Sequence, residues 1–467
     1  MKHMSYRFEC GERYTAFNQA LAPPVQGVSL KVLLMQNFQT AATLLTHRLP
    51  HSAKPHARIL PHRGINMIYN FDEIVERRNT NCLKYDFAVE RGHRPDVLPL
   101  WVADMDFRTA LPVRERLAAL ARYGVFGYSE GKESYFDAIL SWFGKHYGWQ
   151  PEREWLIETP GVVFALAMCV QAFTAPGDGV LIQQPVYYPY SEVIRDNGRR
   201  IVNAPLQLRD GHYEIDFDDF EQKITSEKVK LFLLCSPHNP TGRVFTRDEL
   251  LRMGKICAAH QVIVVSDEIH EDFIWPGRRF EVFQEVDPSF RDFTVTCTAP
   301  TKTFNLAGLQ ISNIFVPNPA LRRKLRHAID AAGYSQVTAF GLAGCEAAYR
   351  DGEEWYDQLM VYLKGNLDFF RSFLRERLPE LRLIEPEGTY LLWVDMRGLG
   401  LSDAALADLI ENRAGLWLDA GSVFGPDGSG FERFNIACPR ATLRQALEQL
   451  ERAVQSVRVG GAGAPVS

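Results

Sequence analysis

The chain has 467 residues, 46% of them hydrophobic and 23% charged, and a formal net charge of −5. That length is too great for one ordinary core and predicts two domains, while the composition excludes general disorder. A negative balance with no basic stripe excludes a nucleic-acid footprint, and no apolar run approaches the roughly 18 residues of a membrane span.

In chain order, the first 66 residues stand apart. They hold eight Lys or Arg against Glu9 and Glu12, with five histidines, a formal +6 that leaves −11 for residues 67–467. A basic, acid-poor leader suits a targeting segment, although it lacks the order of a signal peptide. We favour the simpler reading, a start codon assigned too early, with Met67 as the true beginning. The eight cysteines are scattered without C-x-x-C or metal spacing, which suits free thiols in the reducing cytoplasm.

From residue 113 onward, helical periodicity alternates with short apolar runs. Val162 to Phe173 predicts a helix opened by a glycine and closed by Ala175-Pro176-Gly177-Asp178-Gly179. Buried strands are expected at Val180–Ile182, Lys230–Leu234, Val262–Ser266, Phe293–Thr296 and Ile311–Val316. Arg247 to His260 predicts a helix, with Thr246 and Glu249 as its capping box. Continuous apolar strands separated by helices indicate a mostly parallel sheet covered on both faces, with ligands beyond the carboxyl ends of its strands. Residues 319–376 carry long helical patterns. Tyr390–Asp395, a helix over 402–413 and Arg433–Ala437 then predict a smaller α+β domain, and Gly460–Pro465 cannot build a packed element.

Four loops at expected strand ends concentrate polar groups. They are Ser236-Pro237-His238-Asn239-Pro240-Thr241-Gly242, Ser266-Asp267-Glu268-Ile269-His270, Thr298 to Gly308 around Lys302, and Glu432-Arg433-Phe434-Asn435. Singly, each has an ordinary explanation: a turn, a helix cap, a solvated lysine, a surface ion pair. Their order and spacing make a specific set.

That set, Asn-Pro-x-Gly, Asp-x-x-His, Thr-Lys and Arg-x-Asn, resembles the fold-type I pyridoxal-phosphate (PLP) enzymes of the class I/II aminotransferase family over residues 67–457. Within the family the chain is most similar to the MalY/PatB-type cystathionine β-lyases. The stretches Trp101 to Phe107, Val125 to Ser129, Lys302 to Gly308 and Ala437-Cys438-Pro439-Arg440 carry that likeness. The resemblance implies a PLP-binding large domain at 116–350 and a small domain made of 67–115 and 351–457, between a leader (1–66) and a disordered tail (458–467).

It also implies roles. Lys302 would carry PLP as a Schiff base and shuttle the Cα proton, Asp267 would keep the pyridine nitrogen protonated, and Asn239 would bond the phenolic oxygen, with His270 close by. Tyr187 would stack on the ring, although its neighbour Tyr188 leaves that choice open. Gly161 and Val162, at a helix start, and Thr301 would bind the phosphate. Tyr128 would reach the phosphate from the neighbouring subunit, which makes a homodimer with sites at its interface. Arg433 would clamp the substrate carboxylate, a bidentate task that Lys cannot copy.

Two departures from the aminotransferase pattern tilt the chemistry. His270 stands where a Tyr is common, and Gln310, eight residues after Lys302, stands where a phosphate-binding Arg is common. Both are as expected of the lyases, so the resemblance implies β-elimination from L-cystathionine or related sulfur amino acids, with no metal. Amino transfer between an L-amino acid and a 2-oxo acid uses the same first steps and stays open. A regulator would need a DNA-binding module in the leader, and Lys31–Met35 with Ala41–Leu49 do not form a helix-turn-helix.

Overall fold

The protein is described from a computed structural model, which covers residues 69–461. The basic leader, Met67 and the end of the expected tail lie outside the described residues.

Seven strands form the central sheet: β1 Leu156–Thr159, β2 Gly179–Ile182, β3 Arg200–Asn203, β4 Val229–Cys235, β5 Ile263–Asp267, β6 Thr294–Thr298 and β7 Ser312–Phe315. Their order is β1-β7-β6-β5-β4-β2-β3. β7 runs antiparallel to both of its neighbours, while the pairs from β6 across to β3 are parallel. The reason for the continuous apolar strands is visible in β4. Leu231 and Leu233 enter one core, Phe232 and Leu234 another, so both faces are covered.

The helices follow from the 3.6-residue pattern. They include α1 Leu111–Tyr123, α2 Glu133–Tyr147, α3 Val162–Phe173, α4 Pro189–Asp196, α5 Arg247–Ala259, α6 Pro300–Thr303, α7 Pro319–Ala331, α8 Ala339–Asp351, α9 Glu353–Arg377 and α10 Arg440–Gly461. α3 and α7 cover one face of the sheet, with Leu166, Val170, Leu321 and Leu325 against Val180, Ile182 and Val295. α5 covers the other through Leu250, Met253 and Cys257, and the predicted capping box is formed between Thr246 and Glu249. α10 takes in the first residues of the stretch expected as a tail, because Leu443, Leu447, Leu450 and Val454 bury one side of the helix.

A second sheet holds β8 Arg382–Leu383, β9 Leu391–Asp395, β10 Asp419–Ala420 and β11 Phe431–Asn435, in the antiparallel order β8-β9-β11-β10. The amino-terminal segment joins this part of the chain. Leu98–Pro99 pairs with Leu416–Trp417, and the Asn435 side chain donates to the carbonyls of Val102 (2.7 Å) and Asp104 (2.6 Å). A third core, with Phe71, Phe107, Trp355 and Phe434, also takes in Ile139 and Trp142 of α2, so apolar packing is continuous across the expected domain boundaries.

Candidate active site

The carboxyl ends of the parallel strands put Asp267 in place. It is the last residue of β5, in register with Cys235 of β4 and Cys297 of β6. Its carboxylate accepts from the Tyr190 hydroxyl at 2.8 Å and from the Ile269 N–H at 3.2 Å. Burial raises its pKa to about 6, against the opposing pull of those donors and of the Lys302 cation.

Lys302 lies on α6, a single turn opened by Pro300 just after β6. The neighbouring Thr303 hydroxyl donates to Asp272, which also accepts from Trp142 Nε1 at 3.0 Å, and these bonds anchor the turn. The lysine Nζ donates to the Ala103 carbonyl at 2.8 Å. Burial, helped by Arg433 and opposed by Asp104 and Asp267, lowers its pKa to about 8. His270 is buried, and that burial with the Lys302 and Arg433 cations pushes its pKa far down, so the ring is neutral. Its Nδ1 has no hydrogen-bond partner among the described residues.

Arg433 approaches from β11. It is 2% exposed, and Nη1 donates to Asn239 Oδ1 at 2.9 Å while Nη2 donates to the Trp101 carbonyl at 2.8 Å and to Asp419. The Asn239 carbonyl accepts from the Tyr187 N–H at 3.0 Å, which ties the Asn-Pro loop to the segment before α4. Tyr187 is half-buried; burial raises its hydroxyl pKa, and Arg433 and Asp267 both act on it. Asp419 and Arg433 act on Tyr188 as they do on Tyr187, but Asp267 is not among the charges that shift Tyr188. Next to Lys302, Asp104 and Asp106 bind Arg77 (2.6 Å each), and Asp106 binds the fully buried Lys84 at 2.9 Å. Burial would raise Asp104, but Lys84 and Arg77 outweigh it and hold the carboxyl below its ordinary range.

At the other end of the cleft, α3 begins at Gly161 with φ of +151° and no side-chain cap, which leaves its first N–H groups free of side-chain acceptors. A Cβ on Gly161 would lie 4.0 Å from Gln310 Oε1, so Gln310 flanks this helix start. Thr301 is buried on α6. Tyr128 is the exception: it is 93% exposed on the single chain.

The structure thus brings Lys302, Asp267, His270, Asn239, Arg433 and Tyr187 into one interacting group. Sequence reasoning missed Tyr190, Asp419 and the carbonyls of Trp101 and Ala103. Only Asp419 left a local signal, an acid between apolar neighbours, where burial calls for a cation. The donors suit a phosphorylated aldehyde with a basic ring nitrogen: a readily deprotonated amine, a buried carboxylate, an uncapped helix start with a hydroxyl, and the unpartnered polar atoms His270 Nδ1 and Arg433 Nε. That is the constitution of PLP, and the residues fit it.

The chain belongs to the aminotransferase class I and II family, whose model matches residues 96–450. Among curated relatives, the cystathionine β-lyase PatB of Bacillus subtilis (strain 168) is 41% identical, over 82% of this chain and all of that protein. Protein MalY of Escherichia coli K12 is 32% identical, over 84% of this chain and all of its own length. Among solved structures, cystalysin from Treponema denticola, which contains a pyridoxal 5′-phosphate cofactor, superposes with a TM-score of 0.81 at 37% identity, covering 84% of this chain and all of that one.

Proposed function

We propose that this protein is a PLP-dependent carbon–sulfur β-lyase, which cleaves L-cystathionine or a related cysteine S-conjugate, with one water, to a thiol, pyruvate and ammonia. The observation that carries the reading is the half-buried Lys302 amine, lowered to about 8 and facing both Asp267 and the Arg433 guanidinium. Amine, electron-sink carboxylate and carboxylate clamp then act on one Cα. Elimination rather than amino transfer is supported by the likeness to PatB and by the uncharged Gln310 beside the start of α3.

When bound, PLP supplies an electron sink that stabilises the pair left at Cα, so that the neighbouring Cβ–S bond can break. Lys302 would hold the aldehyde, and its Nζ would take the substrate Cα proton. An amine with a pKa near 8 is neutral often enough at physiological pH to do so. Asp267 would keep the ring nitrogen protonated, with the Tyr190 hydroxyl holding that carboxylate in position. Asn239 would bond the phenolic oxygen, His270 would support it as a neutral ring, and Tyr187, the one of the two tyrosines on which Asp267 also acts, would stack. Gly161, Val162 and Thr301 would receive the phosphate. Arg433 binds the substrate α-carboxylate.

The partner proposal is a homodimer with Tyr128 completing the phosphate site of the neighbouring subunit. The exposed run Tyr123, Val125, Phe126 and Tyr128 supports it, being apolar surface that a second copy would cover. The domain division at 116–350, with 67–115 joined to 351–457, is supported by the pairing of Leu98–Pro99 with Leu416–Trp417. Among the described residues no helix is long and apolar enough to cross a membrane. The seven described cysteines are free, which favours the cytoplasm.

The test is incubation of the purified holoenzyme with L-cystathionine and no oxo acid. Equal amounts of free thiol and pyruvate are expected; turnover that requires an added 2-oxo acid would sink the lyase reading in favour of amino transfer.

A further inference from the structure

The Arg433 guanidinium has five N–H groups, and their allocation is uneven. Nη2 gives its two to the Trp101 carbonyl and Asp419, Nη1 gives one to Asn239 Oδ1, and the buried Nε gives none. A carboxylate can be held bidentately through Nε with Nη2 or through Nη1 with Nη2. Both modes need Nη2. Asp419 therefore stands where an incoming carboxylate must bind. It is held there by the backbone, since β10 and β11 pair Asp419 directly opposite Arg433.

We propose that Asp419 is a resident carboxylate latch on the Arg433 clamp, which substrate displaces on binding and which sets the charge of the substrate the clamp accepts. This rests on Arg433 being the carboxylate clamp of the lyase reading. The unpartnered Nε is the landing point: an incoming carboxylate takes that N–H first and then exchanges with Asp419 at Nη2. Displacement does not carry Asp419 far, because its strand register is fixed, and His93 is the other basic side chain that acts on it. Asp419 thus remains beside the bound substrate, where burial raises its pKa while the nearby Arg433 and His93 favour its ionised form. A side arm that is neutral or zwitterionic, as in cystathionine, is tolerated, and an arm ending in a lone carboxylate is repelled. Tyr188, on which Asp419, Arg433, Glu192 and Arg91 all act, lines the same approach.

The latch makes a prediction opposite in sign to that of a brace. Asp419→Asn in the holoenzyme leaves Nη2 only a neutral amide oxygen, a weaker acceptor than the carboxylate, so propionate, followed by calorimetry, is expected to bind about tenfold more tightly, because the clamp is released more easily. KM for S-ethyl-L-cysteine should fall in parallel, and the preference for S-ethyl- over S-carboxymethyl-L-cysteine should shrink. Asp419→Glu, which restores the carboxylate, should return propionate affinity toward that of the native enzyme. Unchanged or weaker propionate binding by Asp419→Asn overturns the latch and makes Asp419 a brace for Arg433. If the variants do not fold, a crystal structure of the native enzyme with propionate decides: the latch requires Asp419 to have left Nη2, and Asp419 still bonded there overturns it. Propionate binding needs no turnover. Failure of the native enzyme to release pyruvate from cystathionine would thus count against the lyase reading and leave the latch to its own result.

Discussion

The two sides of the site handle charge differently. On the large-sheet side, Asp267 and His270 are buried and Lys302 half-buried, all with few partners, and desolvation favours the uncharged form of each: the pKa of Asp267 goes up, those of Lys302 and His270 down. On the side built from β10, β11 and the amino-terminal segment, charges meet opposite charges. Arg433 pairs with Asp419, and Arg77 and Lys84 with Asp104 and Asp106. The contrast teaches that reactivity and recognition are separated. In the proposed reading, the group that moves a proton sits among desolvated neighbours at the ends of the parallel strands. Groups that must hold a carboxylate sit in ion pairs that another carboxylate can exchange.

The predictions press on this division. Lys302→Ala removes the amine from the desolvated side, and pyruvate release from cystathionine should fall by about 10⁴-fold or more. Residual turnover within about tenfold of the native enzyme would break the assignment. Asp267→Asn keeps the shape and removes the charge; kcat should drop by about 10³-fold with KM little changed, read from initial rates over a substrate series. Arg433→Lys belongs to the paired side and should raise KM by about 100-fold while kcat stays within a few-fold, since a point charge replaces a fork. A loss confined to kcat would erase the boundary between the two sides.

Tyr190→Phe is the finest probe, with an expected loss of at most about tenfold at neutral pH. The Tyr190 hydroxyl stabilises ionised Asp267 and so lowers its pKa; without it the pKa rises above about 6. The active form is the carboxylate, so the acid limb of the kcat–pH profile should move to higher pH. A move to lower pH would contradict the role given to Tyr190.

The large sheet was legible because a strand buried on both faces must be apolar throughout. β2, β4, β5, β6 and β7 all lie where such runs fall, and the box at Thr246 and Glu249 marks its helix locally. β3 escaped notice: Arg200–Asn203 lies at the sheet edge with one wholly buried residue, Val202, so its pattern carries little signal. The loops with Asn239, Asp267, Lys302 and Arg433 were legible as a spaced set, and the structure brings those residues together. The partners that tune them were not. Tyr190 bonds to Asp267 across 77 residues, and Asp419 meets Arg433 only through the register of β10 and β11. Such pairs are products of topology: the acid between apolar neighbours at Asp419 marks a buried charge without naming its partner, and Tyr190 leaves no local sign.

The contact between the Trp101 carbonyl and Arg433 spans 332 residues of chain. On a ribosome adding about 5–20 residues per second, roughly 15 to 70 s separate the synthesis of these two groups. Lys302 and Asp267 are made well before Arg433, and the amino-terminal segment waits without its β11 partner until that strand is made. Completion of the site is therefore a late event in the life of each nascent chain, and truncation within β11 would leave a reactive lysine with no clamp above it.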